Sequence, residues 1–148
     1  RQHELRMTGH AIEARICAEN PDKDFLPATG TLHVYRRPPA AAFERAPVRL
    51  DDAVRPGDAI SPYYDSMIGK LIVHGADRAQ ALARLDEALS QLHIVGLATN
   101  VQFLRYVVRS RAFAVVRKMR VQDPRIPVNL LISARLGRLT LHRRNLPL

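Results

Sequence analysis

The segment GHAIEARICAENP at residues 9–21 constrains the fold more than any other, because it alternates like a strand and carries charge on one side only. Side chains of an extended chain repeat every two residues, so Ile12, Ala14, Ile16 and Ala18 share one face, and Glu13, Arg15 and Cys17 the other. Such a segment belongs in an antiparallel sheet with one face covered and one solvated. Glu13 and Arg15 then stand side by side. Two roles fit that pair: a surface ion pair of little energetic weight, or a cation held on a rigid strand and aimed at a developing anion. Periodicity by itself leaves both open.

The rest of the chain offers partners for that strand. Residues 20–30 (NPDKDFLPATG) read as an ordered turn with Phe25 and Leu26 tucked in as anchors. Residues 31–35 form a second strand, Leu32 and Val34 against Thr31, His33 and Tyr35, and residues 48–51 (VRLD) a third. In residues 66–74 (SMIGKLIVH) the second half is expected to be a central strand buried on both faces. Asp77 then caps a helix whose apolar stripe is Leu82, Leu85, Leu89 and Leu92, at spacings of three, four and three. Residues 93–97 return as a short strand or turn. Thr99 or Asn100 caps a second helix with Val101, Leu104, Val107 and Val108 inward. Short strands followed by helices predict an α+β domain, a small antiparallel sheet with helices packed on one face.

Composition matters chiefly for partners and compartment. The 148 residues, 47% of them hydrophobic and 25% charged, match a globular domain with one core. No run approaches the ~18 residues of a membrane span, and the start RQHELRMTGH has no apolar core of a signal peptide, so a soluble, cytoplasmic protein without membrane partners is expected. The single cysteine, Cys17, excludes an internal disulfide and fits a reducing compartment; a lone thiol on a strand is expected to be inert. The net charge of +9 suggests nucleic acid until it is located. Residues 1–110 hold 14 basic and 13 acidic side chains and residues 111–148 hold 9 and 1, so nearly all the excess lies in the tail. The body lacks the interleaved aromatics and basic patch of a nucleic-acid surface, and the tail alone would bind only non-specifically. Pro124 and Pro127 break any long helix there, with residues 130–136 readable as a short helix and 138–142 as a strand. The expected division is 1–113 as the folded domain and 114–148 as a basic extension.

Little of the body carries chemistry on its own account. There is no GxxxxGK[ST] phosphate loop, no HExxH and no His/Cys set at metal spacing. Asp51 and Asp52 are adjacent and would point to opposite faces of a strand, so a solvated turn is expected there and no metal site. His10, His33, His74 and His93 are scattered singly. What remains is Arg15 with Glu13, and the YYD triplet whose Asp65 sits at the mouth of a strand, there either to act from a loop or to cap the turn.

In order, GHAIEARICAEN, FLPATG, ISPYYDSMIGKLIVHG, DRAQALARLDEAL and HIVGLATNVQFL resemble the C-terminal domain of biotin carboxylase over residues 5–113. The form is that of the biotin-bearing subunits of acyl-CoA carboxylases, and the last motifs are most similar to the 3-methylcrotonyl-CoA branch. The resemblance implies a reaction in which ATP activates bicarbonate and the CO2 unit passes to a ureido nitrogen of biotin. It assigns Arg15 to the ureido oxygen and Arg49 to a dimer interface; Glu13 and Asp65 match motif positions near Arg15, and a supporting, orienting role for their carboxylates is inferred from that placement. It implies biotin presented on a carrier domain, ATP and Mg held mainly by an ATP-grasp domain of the same parent chain, a carboxyltransferase subunit and a homodimer. These 148 residues contain no ATP-grasp segment, so an isolated fragment, inactive by itself, is expected. The other roles weighed are a purely structural dimerisation module and non-specific nucleic-acid binding through the tail. Beyond Phe113 the family's pattern stops.

Overall fold

The computed structural model describes residues 6–61, 63, 65–115 and 133–140. The chain opens with a long strand, β1 (Arg6–Cys17), then β2 (Glu19–Asn20), a 3-10 turn at Pro21–Lys23 and β3 (Leu26–Pro27). Short strands β4 (Gly30–Thr31), β5 (Val34–Arg36), β6 (Val48–Asp52) and β7 (Ala59–Ile60) lead to β8 (Met67–Gly75). Then come helix α1 (Arg78–Gln91), β9 (His93–Val95), helices α2 (Val101–Arg109) and α3 (Arg111–Val115), and β10 (Ser133–Thr140). The α+β expectation is met.

One four-stranded antiparallel sheet, in the order β10-β1-β8-β6, organises the domain. Its inner face is Ile12, Ala14 and Ile16 of β1, Leu71 and Val73 of β8 and Leu50 of β6, each at most 1% exposed. Helix α1 lies over that face with Leu82, Leu85, Leu89 and the following Leu92 inward, the predicted stripe. Asp77 is the N-cap, accepting from Gln80 N at 2.8 Å. Helix α2 adds Val101, Leu104 and Val108 to the same cluster, with Val107 at its margin. Asp86 of α1 ties the two helices together by accepting from Arg105 (3.2 Å) and Arg109 (2.9 Å).

Several local expectations are corrected. β8 is central, but only one face is fully covered: Ile68, Gly69, Leu71, Val73 and Gly75 are buried, whereas Lys70, Ile72 and His74, on the face away from α1, are half-buried. The predicted second strand splits in two. β4 pairs with β7 and β5 with β9, so Leu32 turns fully inward while Val34 is 45% exposed. Phe25 does pack, edge-on to Phe103 at 4.8 Å between centroids, but Leu26 is 60% exposed. The helix expected at 130–136 is overturned where it enters the described residues, because 133–140 is a strand laid antiparallel on β1, with Thr140 opposite Arg6 and Ser133 opposite Glu13. Among the described residues no helix is long and apolar enough to cross a membrane.

In the first half of β1 a buried histidine meets a half-buried arginine. His10 is 7% exposed, and its Nε2 lies 3.1 Å from Arg78 Nη1; Arg78 also donates to Phe113 O at 2.5 Å and stacks on the Phe113 ring. Burial, then the Arg78 charge, holds the imidazole below its usual value, with Asp77 opposing and His74 adding to the effect. The neutral form is favoured when folded, so the unfolded chain binds the extra proton below about pH 6.5 and stability falls as pH drops from there. Chemical denaturation at pH 7.5 and 5.5 is expected to show a loss of stability for the native chain that is smaller in His10→Gln; an equal loss in both would clear His10.

Candidate functional site

The sheet face opposite the helices carries Arg15 and Glu13, and strand register decides which side chains meet there. Residues directly opposite in an antiparallel pair share a face. Arg15 stands opposite Lys70, and Lys70 opposite Asp51, which makes one row; Glu13, Ile72 and Arg49 make the next. All six are half-buried. Two like charges directly opposed, Arg15 and Lys70, are mutually unfavourable unless an anion joins them.

Within this face Arg15 is under-used. Its Nε lies 4.0 Å from Glu13 Oε1, the outer limit of an ion pair, with side chains 38% and 34% exposed. That nitrogen is itself out of solvent and makes no hydrogen bond among the described residues. A guanidinium never titrates in the working range and offers a planar fork of donors, so it can meet an oxyanion without giving up a proton. Arg49, by contrast, is occupied. Its Nε donates to both carboxylate oxygens of Asp51 at 2.8 Å, and Phe43 N donates to the same carboxyl at 2.8 Å. The Arg49 hydrogen bond is the main reason the Asp51 carboxyl sits below the usual range.

Asp51 and Asp52 lie in β6 rather than in a solvated turn, and their side chains diverge. Asp52 points inward, 7% exposed, 3.2 Å from Arg37 Nε and accepting from the Tyr35 hydroxyl; burial first and that bond second push the Tyr35 phenol up. No group of three or more His, Cys, Asp or Glu among the described residues could hold a metal ion. Asp65 is exposed and accepts from Met67 N at 3.0 Å, which caps the entry to β8; among the described residues it makes no hydrogen bond to Arg15. The structure thus joins Arg15 to Glu13, sets Arg49 in the neighbouring row and leaves Asp65 at the end of the sheet. A groove of about 540 Å³ lies elsewhere, bordered by Pro38, Pro39, Val48, Arg84 and Glu87, and none of the four predicted residues lines it.

Two residues whose roles the sequence did not reveal, Cys17 and Asn100, meet the backbone beside Arg15. Cys17 was expected on the polar face, but the β1–β8 register shifts between Ile16 and Cys17, where Ile68 is the extra residue, and Cys17 is only 5% exposed. Asn100 stands at the N-cap of α2 but makes no side-chain cap bond. Its side chain reaches β1 instead: Oδ1 accepts from Cys17 N at 3.0 Å and Nδ2 donates to Arg15 O at 3.0 Å, while its own N–H donates to Cys17 O at 3.1 Å. An Asn ahead of an apolar run reads as a cap, and nothing local signals a partner 85 residues away.

The family model for the biotin carboxylase C-terminal domain matches residues 13–120. The alpha subunit of methylcrotonoyl-CoA carboxylase, mitochondrial, from Glycine max is 48% identical over 77% of this chain and 15% of that protein. Biotin carboxylase 1 from Bacillus subtilis is 44% identical over 70% of this chain and 22% of that protein. The biotin carboxylase domain dimer of the Hydrogenobacter thermophilus 2-oxoglutarate carboxylase, solved with MgADP, ADP and bicarbonate, superposes with a TM-score of 0.68 at 36% identity, covering 74% of this chain and 23% of that one. The chain therefore spans about a quarter or less of the relatives it matches.

Burial, then the Glu19 and Asp65 charges, pushes the Cys17 thiol up to about 12. At pH 8 only roughly one thiol in 10⁴ is then ionised. Iodoacetamide is expected to leave the folded chain unlabelled at that pH and to label it fully in guanidinium; rapid native labelling would show that the bulge opens.

Proposed function

This chain belongs to the biotin carboxylase C-terminal domain family, and on that premise we propose that it forms the biotin-facing wall of an ATP- and bicarbonate-dependent biotin carboxylase. The observation that supports this role is Arg15: a permanent cation on a central strand, half-exposed, with Nε unpaired among the described residues. In the reaction ATP phosphorylates bicarbonate, the resulting carboxyphosphate releases CO2 and phosphate, and a ureido N–H of biotin gives its proton to that phosphate as the nitrogen bonds to CO2. Negative charge develops on the ureido oxygen in that last step. Arg15 meets it, and Glu13 limits the swing of the guanidinium. Asp65 supports the wall by fixing the turn that starts β8.

The same proposal assigns the remaining parts. ATP and Mg are bound mainly by an ATP-grasp domain of the parent chain. Biotin arrives on a carboxyl carrier domain and leaves for a carboxyltransferase subunit. The pair of β6 residues Arg49 and Asp51 presents a pre-aligned guanidinium for a homodimer contact, a role in keeping with the dimeric Hydrogenobacter relative. Residues 1–113 are the domain proper and 114–148 an extension that returns residues 133–140 to the edge of its sheet; the segment is inactive alone, and we place its parent in the cytoplasm, although the soybean relative is by name mitochondrial.

Fusing the preceding portion of the Bacillus subtilis relative ahead of residue 1 supplies a testable enzyme. Arg15→Ala is expected to lower biotin carboxylation by roughly 10²- to 10³-fold, the scale of one lost oxyanion donor, with ATP and bicarbonate saturating. Unchanged turnover would remove Arg15 from the chemistry and leave a purely structural, dimer-forming module.

A further inference from the structure

Among the described residues β1 pairs with β10 as far as Glu13 opposite Ser133. At residues 15–17 helix α2 contributes a further set of bonds to β1. Asn100, 2% exposed, meets the Arg15 carbonyl and the Cys17 amide with the two ends of one side-chain amide, and its main-chain N–H meets the Cys17 carbonyl. A carboxamide is the group suited to this: it carries one donor and one acceptor in a plane, as a peptide on a neighbouring strand would. Three bonds thus clamp the three residues 15–17 at the point where the bulge interrupts the ladder to β8. A bulge re-aims the side chains beside it, so the clamp decides where the Arg15 backbone sits and from what angle its guanidinium leaves the sheet.

We infer that Asn100 is a positioning residue for biotin carboxylation: it touches no substrate and acts by holding the Arg15 backbone through the side-chain amide. The inference rests on the role proposed for Arg15. Helix α2 enters the chemistry through it, because Leu104 N bonds Asn100 O and Val101, Leu104 and Val108 anchor the helix in the core.

The test uses the same fusion and reads biotin-dependent turnover relative to the biotin-free, bicarbonate-dependent ATP cleavage of the same preparation. Asn100→Asp keeps the acceptor for Cys17 N–H and replaces the donor to Arg15 O by an oxygen. The ratio is expected to fall about ten- to a hundredfold, through kcat rather than the KM for biotin, which is the scale of a reacting group misplaced by an ångström. Added to Arg15→Ala, the same change is expected to lower the ratio no further. A ratio unchanged in Asn100→Asp while Arg15→Ala lowers it, or full additivity of the two, overturns the positioning role. An unaffected Arg15→Ala overturns the role of Arg15 and this inference with it. If Asn100→Asp does not fold, hydrogen exchange of the Cys17 amide in the unsubstituted chain reads the clamp directly: protection of at least about a hundredfold is expected, and free exchange overturns it.

Discussion

The antiparallel ladder between β1 and β8 is the interaction on which the rest of this structure depends. Its register sets Ile12 opposite Val73 and Ala14 opposite Leu71, which makes a continuous apolar face for α1 and α2 to cover. The same register sets Glu13 opposite Ile72 and Arg15 opposite Lys70 on the other side. A slip of one residue would exchange the faces and bury the charges. Core and candidate site are therefore two consequences of one pairing.

The sheet carries two charged pairs of the same spacing, and they behave differently. Arg49 and Asp51 lie two apart on β6, close enough for a bidentate pair, and the carboxylate is fully used. Glu13 and Arg15 have the same spacing on β1, but the guanidinium Nε and the carboxylate oxygen stand 4.0 Å apart. Identical spacing gives one closed pair and one open cation, and the open one lies next to the bulge and the Asn100 clamp. An anion-stabilising group needs that combination of a fixed base and unspent donors.

Some of this was legible along the chain. The strand over residues 9–17, the Asp77 cap, the leucine stripe of α1 and the Glu13–Arg15 pair follow from local signals, which are strong where one face is wholly apolar. The split of residues 30–36 between two partners and the inward turn of Cys17 were not, and the strand at 133–140 was read only over residues 138–140, because each is fixed by a neighbour distant in sequence. Asp65 was open between turn cap and active group, and the bond to Met67 N accounts for the capping half.

The sequence by itself determined the α+β class, the family and the face on which Arg15 lies, since period-two alternation and ordered motifs are properties of the chain alone. Only the tertiary structure decided that Lys70 opposes Arg15, that Arg49 is bound by Asp51, and that Asn100 serves β1 rather than its own helix. Those three depend on register, on rotamer and on a bulge in the ladder, and such quantities exist only once strands and helices have been brought together.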